Sequence, residues 1–150
     1  MDKAVPLPTT PSEQFLTGLP KAELHLHVEG TLEPDLKLRL AQRNGIDIGQ
    51  HTVEEVQATY QFHDLASFLA VYYPAMNVLV TEQDFYDLAD AYFAKAATQG
   101  VRRGEMFFDP QAHTSRGIDF ATVIDGYSRA AYDAEQRHGV VAQTNRGVPG

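Results

Sequence analysis

The sequence contains no cysteine and no tryptophan, and basic residues are few. The absence of cysteine excludes disulfides and every thiolate metal site, so any metal must be bound by His, Asp, Glu or water. Twelve Lys and Arg stand against twenty Asp and Glu, which gives a formal net charge of -8. Because no run of basic residues offers a surface for phosphates, we do not expect binding to nucleic acid or to an anionic membrane.

Long apolar runs and phosphate-binding glycine loops are missing as well. No segment approaches about 18 uninterrupted apolar residues, and residues 1–20 contain no apolar core of signal-peptide length. This predicts a cytoplasmic protein without a membrane span. Neither a GxGxxG nor a P-loop pattern occurs, so we do not expect a nucleotide held by its phosphates.

The overall composition is that of a folded globular chain. With 150 residues, 43% of them apolar and 21% charged, the chain is long enough for one domain with a core. Four prolines lie between Pro6 and Pro20, which predicts an extended N-terminal arm over residues 1–20 with one helical turn near Ser12 to Leu16. Regular structure is predicted to begin at Lys21.

Apolar periodicity predicts a strand followed by several helices. The segment "AELHLH" alternates apolar and polar residues, which predicts a strand that carries Glu23, His25 and His27 on one face. Helical spacing of apolar residues then predicts a helix from Pro34 to Asn44-Gly45 and a helical turn around Val53 and Val56. A third helix is predicted after His63, with a break or kink at Pro74. A fourth begins at a capping box formed by Thr81 and Asp84 and ends at Gly100.

Two further strands are predicted in the rest of the chain. The segment "VRRGEMFFDP" predicts a strand from Val101 to Phe108 that ends before Pro110. A polar loop, a long amphipathic helix ending at Gly139 and the start of a third strand, "VVAQ", follow it. The order strand, helices, strand, helix, strand predicts an α/β fold with parallel strands joined by helical crossovers.

The pair His25 and His27 is the first candidate site. Residues two apart on a strand lie about 6.6 Å apart and point to the same side, so two imidazoles could reach one ion at about 2.0 to 2.1 Å. The spacing suits zinc but gives only half a site, and an ordinary strand that carries two histidines stays open as the alternative. Glu29 follows just past the strand end, where Gly30 lets the backbone turn sharply. Ligands gather at this end of parallel strands.

The segment after the second strand is a second candidate. Asp109, His113 and Arg116 share one polar loop of about ten residues on the same side of the sheet. We expect Asp109 and His113 to line the rim of a pocket rather than to bind a metal. Glu105 lies inside an otherwise apolar strand, where a buried carboxylate needs a partner such as an arginine of that strand. Most aromatic residues of the helices are predicted to be core, although one or two rings could cover a flat heterocycle: Phe62, Phe68, Tyr72, Phe85, Tyr86 and Tyr92.

Two segments together resemble a known family. "LPKAELHLHVEGTLEPDLKLRLAQRNGI" resembles the opening strand and helix of the adenosine and adenine deaminases, zinc-dependent aminohydrolases with a (β/α)8 barrel. "FLAVYYPAMNVLVTEQDFYDLADAYFAKAATQGVRRGEMFFDPQAHTSRGIDFATVI" is similar to the adenine deaminase branch. The resemblance implies that residues 21–143 are strands one to three of a TIM-type barrel that is incomplete in this chain. Residues 144–150 do not fit it, which we interpret as a truncation or a frameshift.

The resemblance also assigns roles to individual residues. It implies that His25 and His27 bind Zn2+ as the cofactor. Glu29 matches a position where adenosine-acting members generally have an Asp that meets the ribose, and the longer Glu is similar to the adenine-acting branch, where it fills space that a sugar would need. Glu29 and Gly30 are therefore expected to bind the substrate. No catalytic role is carried over to Asp109 or His113, which look like loop residues specific to the branch.

The implied activity is hydrolytic deamination of adenine to hypoxanthine and ammonia, a reaction of purine salvage in which a zinc-activated water replaces the amino group at C6. The family's other zinc ligands and its acid/base Glu have no counterpart in this sequence, so the 150-residue chain is expected to be inactive alone. Adenosine and an N6-substituted adenine stay open as substrates. A non-catalytic half-barrel that binds a purine or a partner is the alternative of another class, and a homo-oligomer is left open.

Overall fold

The computed structural model describes residues 10–146, and for residues 144–146 the backbone only. Its three strands form one parallel sheet in the order β1 (Lys21–His27), β2 (Val101–Phe108) and β3 (Val141–Arg146). The predicted α/β fold with parallel strands is confirmed. The first strands of a (β/α)8 barrel have this arrangement, in which strands adjacent in the sequence are also adjacent in the sheet.

Helices connect the strands in the predicted order. Within residues 10–146 the α-helices are α1 (Glu13–Gly18), α2 (Pro34–Arg43), α3 (Val53–Ala58), α4 (Leu65–Ala75), α5 (Glu82–Thr98), α6 (Pro110–Thr114) and α7 (Phe120–His138). Two short 3-10 turns, Val28–Thr31 and Met76–Val78, lie between them. In this part of the chain no helix has both the length and the hydrophobicity that crossing a membrane requires.

Helix ends follow the signals in the sequence. The predicted capping box is confirmed, because Thr81 Oγ1 accepts from the Asp84 N–H at 3.3 Å and Asp84 Oδ2 accepts from the Thr81 N–H at 2.7 Å. Helix α4 ends one residue after Pro74, and α7 ends at Gly139 with a left-handed φ of 68°. Ser12 caps α1, which confirms a helical turn in the N-terminal arm, while residues 1–9 of that arm lie outside the described residues.

The predicted boundary of the last segment falls inside a strand. Strand β3 continues to Arg146 and pairs with β2 along its whole length, so the first three residues of the predicted tail at 144–150 belong to the sheet. Residues 147–150 lie outside the described part.

The hydrophobic core lies between one face of the sheet and the helices α5 and α7. Met106 and Phe108 of β2 point into it, and Tyr127 of α7 packs edge-on against Phe85 of α5 with ring centroids 5.4 Å apart. These side chains are at most 2% exposed. The opposite face of β2 carries Glu105 and Phe107, which are half-buried. The prediction that Glu105 is a buried carboxylate is wrong, because its face of the sheet is the one turned away from the helices.

Helices α5 and α7 come very close at Gly126. A Cβ added there would lie 2.5 Å from the Glu82 carbonyl oxygen and 2.7 Å from the Phe85 Cβ. We expect Gly126→Ala to lower the free energy of unfolding by about 1–3 kcal/mol, because separating the helices outweighs the better helix propensity of alanine. Urea unfolding of the chain, followed by circular dichroism, measures this. Gly18→Ala is the control, since nothing lies within 4 Å of its added Cβ, and equal losses for both variants would contradict the explanation.

Candidate metal and substrate site

Strand β1 contains an irregularity at its histidines. The register of β1 against β2 shifts between Glu23 and Leu26, and His25 in this interval has a φ of 59°. This left-handed conformation is uncommon for a residue with a Cβ. A bulge of this kind changes which side chains point to each face of the sheet, and bulges are frequent beside active sites.

The bulge makes the predicted single polar face of β1 wrong. Glu23 lies on the helix side, where its Oε2 accepts a hydrogen bond from Tyr92 Oη at 3.0 Å. His25 and His27 lie on the other face, with ring centroids 4.3 Å and 6.1 Å from that of Phe107. Leu24, one of the alternating apolar positions, is 62% exposed. Strict alternation fails here because the side chains that follow the register shift point to the opposite face of the sheet from the one that alternation predicts.

The two histidines fit zinc as half of a site. Their ring centroids are 5.4 Å apart, and both side chains are exposed at the C-terminal end of β1. Imidazole nitrogens are preferred zinc ligands, and this separation leaves room for one ion at about 2.0–2.1 Å from a nitrogen of each ring. Among residues 10–146 no group of three or more His, Asp or Glu side chains is arranged to hold a metal. The pair therefore offers two of the four ligands that zinc usually takes.

Glu29 lies in the 3-10 turn directly after β1, and its side chain is 0% exposed. Its Oε1 accepts hydrogen bonds from the Asp109 N–H at 3.1 Å, from His113 Nε2 at 2.9 Å and from Tyr127 Oη at 3.4 Å. Burial, and next the charge of Glu29, raise the pKa of Tyr127, so its hydroxyl stays protonated and donates. Oε2 of Glu29 is buried and has no partner among the residues that the structure describes. Because buried acceptors are normally paired, this oxygen has the capacity to accept one further hydrogen bond.

A cavity of about 90 Å³ adjoins Glu29 and Gly30. Aromatic rings from α4 and the segment before it form much of its wall, and the rings of Phe68 and Tyr72 stack with centroids 5.2 Å apart. Flat walls beside a buried acceptor suit a flat heterocycle that carries an N–H group. Three of the six predicted aromatic residues, Phe62, Phe68 and Tyr72, thus border the cavity, whereas Phe85 belongs to the core.

Gly30 does not adopt a backbone conformation that is reserved for glycine. Its φ is not among the positive values in the described chain, so the turn itself does not require glycine. A Cβ at Gly30 would lie 3.6 Å from Tyr72 Cε2, in contact with the cavity wall. A larger side chain at this position would extend into the space that the cavity occupies.

The segment after β2 is more ordered than the predicted polar loop. Helix α6 forms within it and buries His113 completely, with 0% exposure. The prediction that His113 lines a pocket rim is wrong, because its pairing with the buried Glu29 compensates the cost of burial. Arg116 Nη2 lies 3.1 Å from His113 Nδ1, and Asp109 contributes its backbone N–H rather than its carboxylate to this network. The spacing of His113 and Arg116 by three residues, which brings side chains together on a helical turn, was the available signal.

Most of the chain matches one protein family. The family profile of adenosine deaminase matches residues 20–146. The adenine deaminase of Acinetobacter baylyi is 54% identical over 127 residues, which cover 85% of this chain and 38% of that protein. The crystal structure of an adenine deaminase from Arthrobacter aurescens has a TM-score of 0.82 at 49% identity and covers 85% of this chain and 39% of its own. An amidohydrolase from Burkholderia ambifaria, crystallised with bound Zn, has a TM-score of 0.74 at 31% identity, over 87% of this chain and 36% of its own. The chain thus spans about two fifths of the length of these relatives.

Proposed function

Because the chain belongs to the adenosine deaminase family, we propose that it supplies the first part of a barrel that hydrolyses adenine to hypoxanthine and ammonia. The observation that carries this proposal is the buried Glu29, which borders an aromatic cavity and whose Oε2 has no partner within residues 10–146. The 54% identity to a protein named adenine deaminase supports the same substrate.

In this proposal His25 and His27 hold zinc. The Burkholderia ambifaria amidohydrolase, crystallised with Zn, supports the choice of metal. A bound zinc ion supplies an activated water at neutral pH and acts as a Lewis acid. Phe107 underlies both imidazole rings, with the ring of His25 stacked at 4.3 Å, and so restricts their orientation. Both rings lie on one face of the sheet because the residues are two apart, and the bulge puts Glu23 on the opposite face.

Glu29 favours the free base over the nucleoside because of the hydrogen bond that its carboxylate oxygen Oε2 accepts. Adenine carries an N–H on its imidazole ring, whereas in adenosine the sugar replaces that hydrogen. The carboxylate oxygen Oε2 accepts a hydrogen bond from the N–H of the free base. The glycosidic nitrogen of a nucleoside carries no hydrogen and cannot donate this bond. A site that pairs with a substrate N–H discriminates strongly against an analogue that lacks it.

A chimaeric barrel tests the proposal. In this barrel, residues 20–146 of this chain replace the matching segment of the Arthrobacter aurescens adenine deaminase. We expect its kcat/KM for adenine to exceed that for adenosine by about a thousandfold or more. Turnover of adenine, adenosine and N6-methyladenine measures the preference. A barrel that prefers adenosine would contradict the choice of substrate, and a folded barrel without any turnover would favour a non-catalytic purine-binding role.

The 150-residue chain by itself is expected to form no hypoxanthine from adenine, because within residues 10–146 the imidazoles of His25 and His27 are not joined by a third ligand. Chromatography of the products after incubation with zinc and adenine measures this. Deamination by the purified chain, free of host deaminases, would show that the described residues suffice for the reaction.

A further inference from the structure

We infer that His113 and Arg116 are positioning residues, which fix the carboxylate of Glu29 so that Oε1 is held by the protein and Oε2 stays available to a ligand in the cavity. The inference rests on the proposed function for the identity of that ligand, a purine base with a ring N–H. Neither residue borders the cavity. Both act through Glu29.

The hydrogen bonds assign one tautomer to His113. Arginine donates through all its N–H groups and accepts at none, so the contact of 3.1 Å between Arg116 Nη2 and His113 Nδ1 requires that Nδ1 accept. The proton of the neutral imidazole then lies on Nε2, which donates to Glu29 Oε1 at 2.9 Å. If Nδ1 carried the proton, its N–H group would point at the N–H group of Arg116, and two donors would face each other. The arginine thus sets the direction of the hydrogen bond that reaches Glu29.

The carboxylate of Glu29 is held from one side only. His113 in α6, Tyr127 in α7 and the Asp109 N–H all donate to Oε1, and these donors come from separate elements. Oε2 is buried yet lacks a partner within the described residues. Glu29 is one of the residues that border the cavity, and its side chain is 0% exposed. Rotating its carboxylate would exchange the oxygen that lacks a protein partner for the one that the protein donors already occupy.

The two positioning residues are themselves fixed by their surroundings. The ring of His113 packs edge-on against Phe85 with centroids 4.9 Å apart, and the side chain is 0% exposed. Arg116 also donates to the Leu79 carbonyl oxygen. The chain of contacts therefore runs from the segment before α5 through Arg116 and His113 to Glu29. Its members have little freedom to adopt another arrangement.

The tautomer is tested by nitrogen NMR on the intact 150-residue chain labelled with 15N-histidine. We expect His113 at pH 7 to show a protonated Nε2 and an unprotonated Nδ1, with a single resolved set of signals. The exposed His51 is the internal reference and should show averaged tautomers. A protonated Nδ1 at His113, or signals averaged like those of His51, would overturn the inference.

The functional consequence is tested in the chimaeric barrel. His113→Phe is expected to raise KM for adenine about 10- to 100-fold with a smaller effect on kcat, because Glu29 contacts a part of the ring that does not react. His113→Gln keeps a donor toward Glu29 and should restore KM to within about fivefold of the wild type. His138→Gln, which alters a histidine paired with Asp90 at 2.8 Å on the outer side of α5 and α7, is the matched control and should leave KM unchanged.

The two readouts separate this inference from the proposed function. An inactive chimaeric barrel would reject the proposed function. The NMR spectrum of the imidazole would still show whether Arg116 fixes the tautomer of His113. Active barrels in which His113→Phe and His113→Gln have the same KM as the wild type would reject the positioning role alone. A loss of activity in His113→Phe that only follows a loss of folded protein, with KM unchanged, would do the same.

Discussion

Replacing His27 with Ala is expected to lower kcat for adenine in the chimaeric barrel by about a thousandfold or more, and to reduce the zinc content of the purified protein. The reason is that His27 is one of the two zinc ligands that we propose for β1, and it lies 5.4 Å from His25 between ring centroids. Losing a ligand removes several kcal/mol of transition-state stabilisation, and each 1.4 kcal/mol is about a tenfold change in rate. Steady-state kinetics and metal analysis of the same preparation measure both effects.

His51→Ala is the matched control, because His51 is an exposed histidine in the connection before α3. It should keep both turnover and zinc. If His27→Ala retained turnover and metal within about twofold of this control, the assignment of His27 as a ligand would be wrong.

His25 allows a sharper version of the same test. Its φ of 59° is a conformation that costs a non-glycine residue about 1–2 kcal/mol, and glycine adopts it readily. His25→Gly should therefore abolish zinc binding while it stabilises the fold or leaves it unchanged. A residue kept for stability would give the opposite result, with lower stability in the glycine variant. A glycine variant of unchanged or higher stability would show that the strained conformation at His25 is kept for its imidazole and not for the fold.

Local chemistry made most of the elements predictable from sequence. The capping box at Thr81, the proline after β2 and the left-handed Gly139 each act within a few residues, and each ends or begins an element where predicted. The bulge in β1 was not predictable by alternation, because the register shift of His25 becomes visible only when β1 pairs with β2. Strand pairing is a contact between segments far apart in the sequence.

The same limit applies to the candidate site. His25, His27 and Glu29 stand close together in one short segment, so their spacing and their resemblance to a family were sufficient to propose them. His113 is 84 residues away from Glu29 in the sequence, and its role depends on a contact that only the fold creates. The sequence alone predicts a pocket-rim position for His113, because an isolated histidine in a polar segment is usually at least partly exposed.

Asp84 links α5 to the end of α2 and is expected to contribute strongly to stability. Its side chain is 0% exposed, and Oδ2 accepts from the Val80 N–H at 2.9 Å, from the Thr81 N–H at 2.7 Å and from Asn44 Nδ2 at 2.9 Å. Oδ1 accepts from Arg43. A change at Asp84 would leave several of these donors without an acceptor in a buried place.

Asp84→Asn is expected to lower the free energy of unfolding by about 3 kcal/mol at pH 7, because it removes a buried charge whose partners stay in place. Burial alone would raise the pKa of Asp84, but the hydrogen bonds from Thr81, Arg43, Val80 and Asn44 outweigh it and lower the pKa. A carboxylate with a lowered folded-state pKa stabilises the protein above its unfolded value of about 3.9, and this stabilisation is lost as the pH falls through the folded-state pKa. The difference between wild type and variant should therefore be constant from about pH 7 to pH 5 and shrink below about pH 4.

Asp87→Asn provides the matched control for this prediction, since Asp87 bonds the same Arg43 at 2.7 Å but is 27% exposed. Solvent weakens that pair, so its loss should cost only about 0.5 kcal/mol at pH 7. Urea unfolding of the three proteins between pH 3 and pH 7, followed by circular dichroism, separates the two aspartates. A loss at Asp84 no larger than that at Asp87 would mean that Arg43 alone accounts for the effect, and that the backbone donors of Val80 and Thr81 are satisfied by water once the carboxylate is gone.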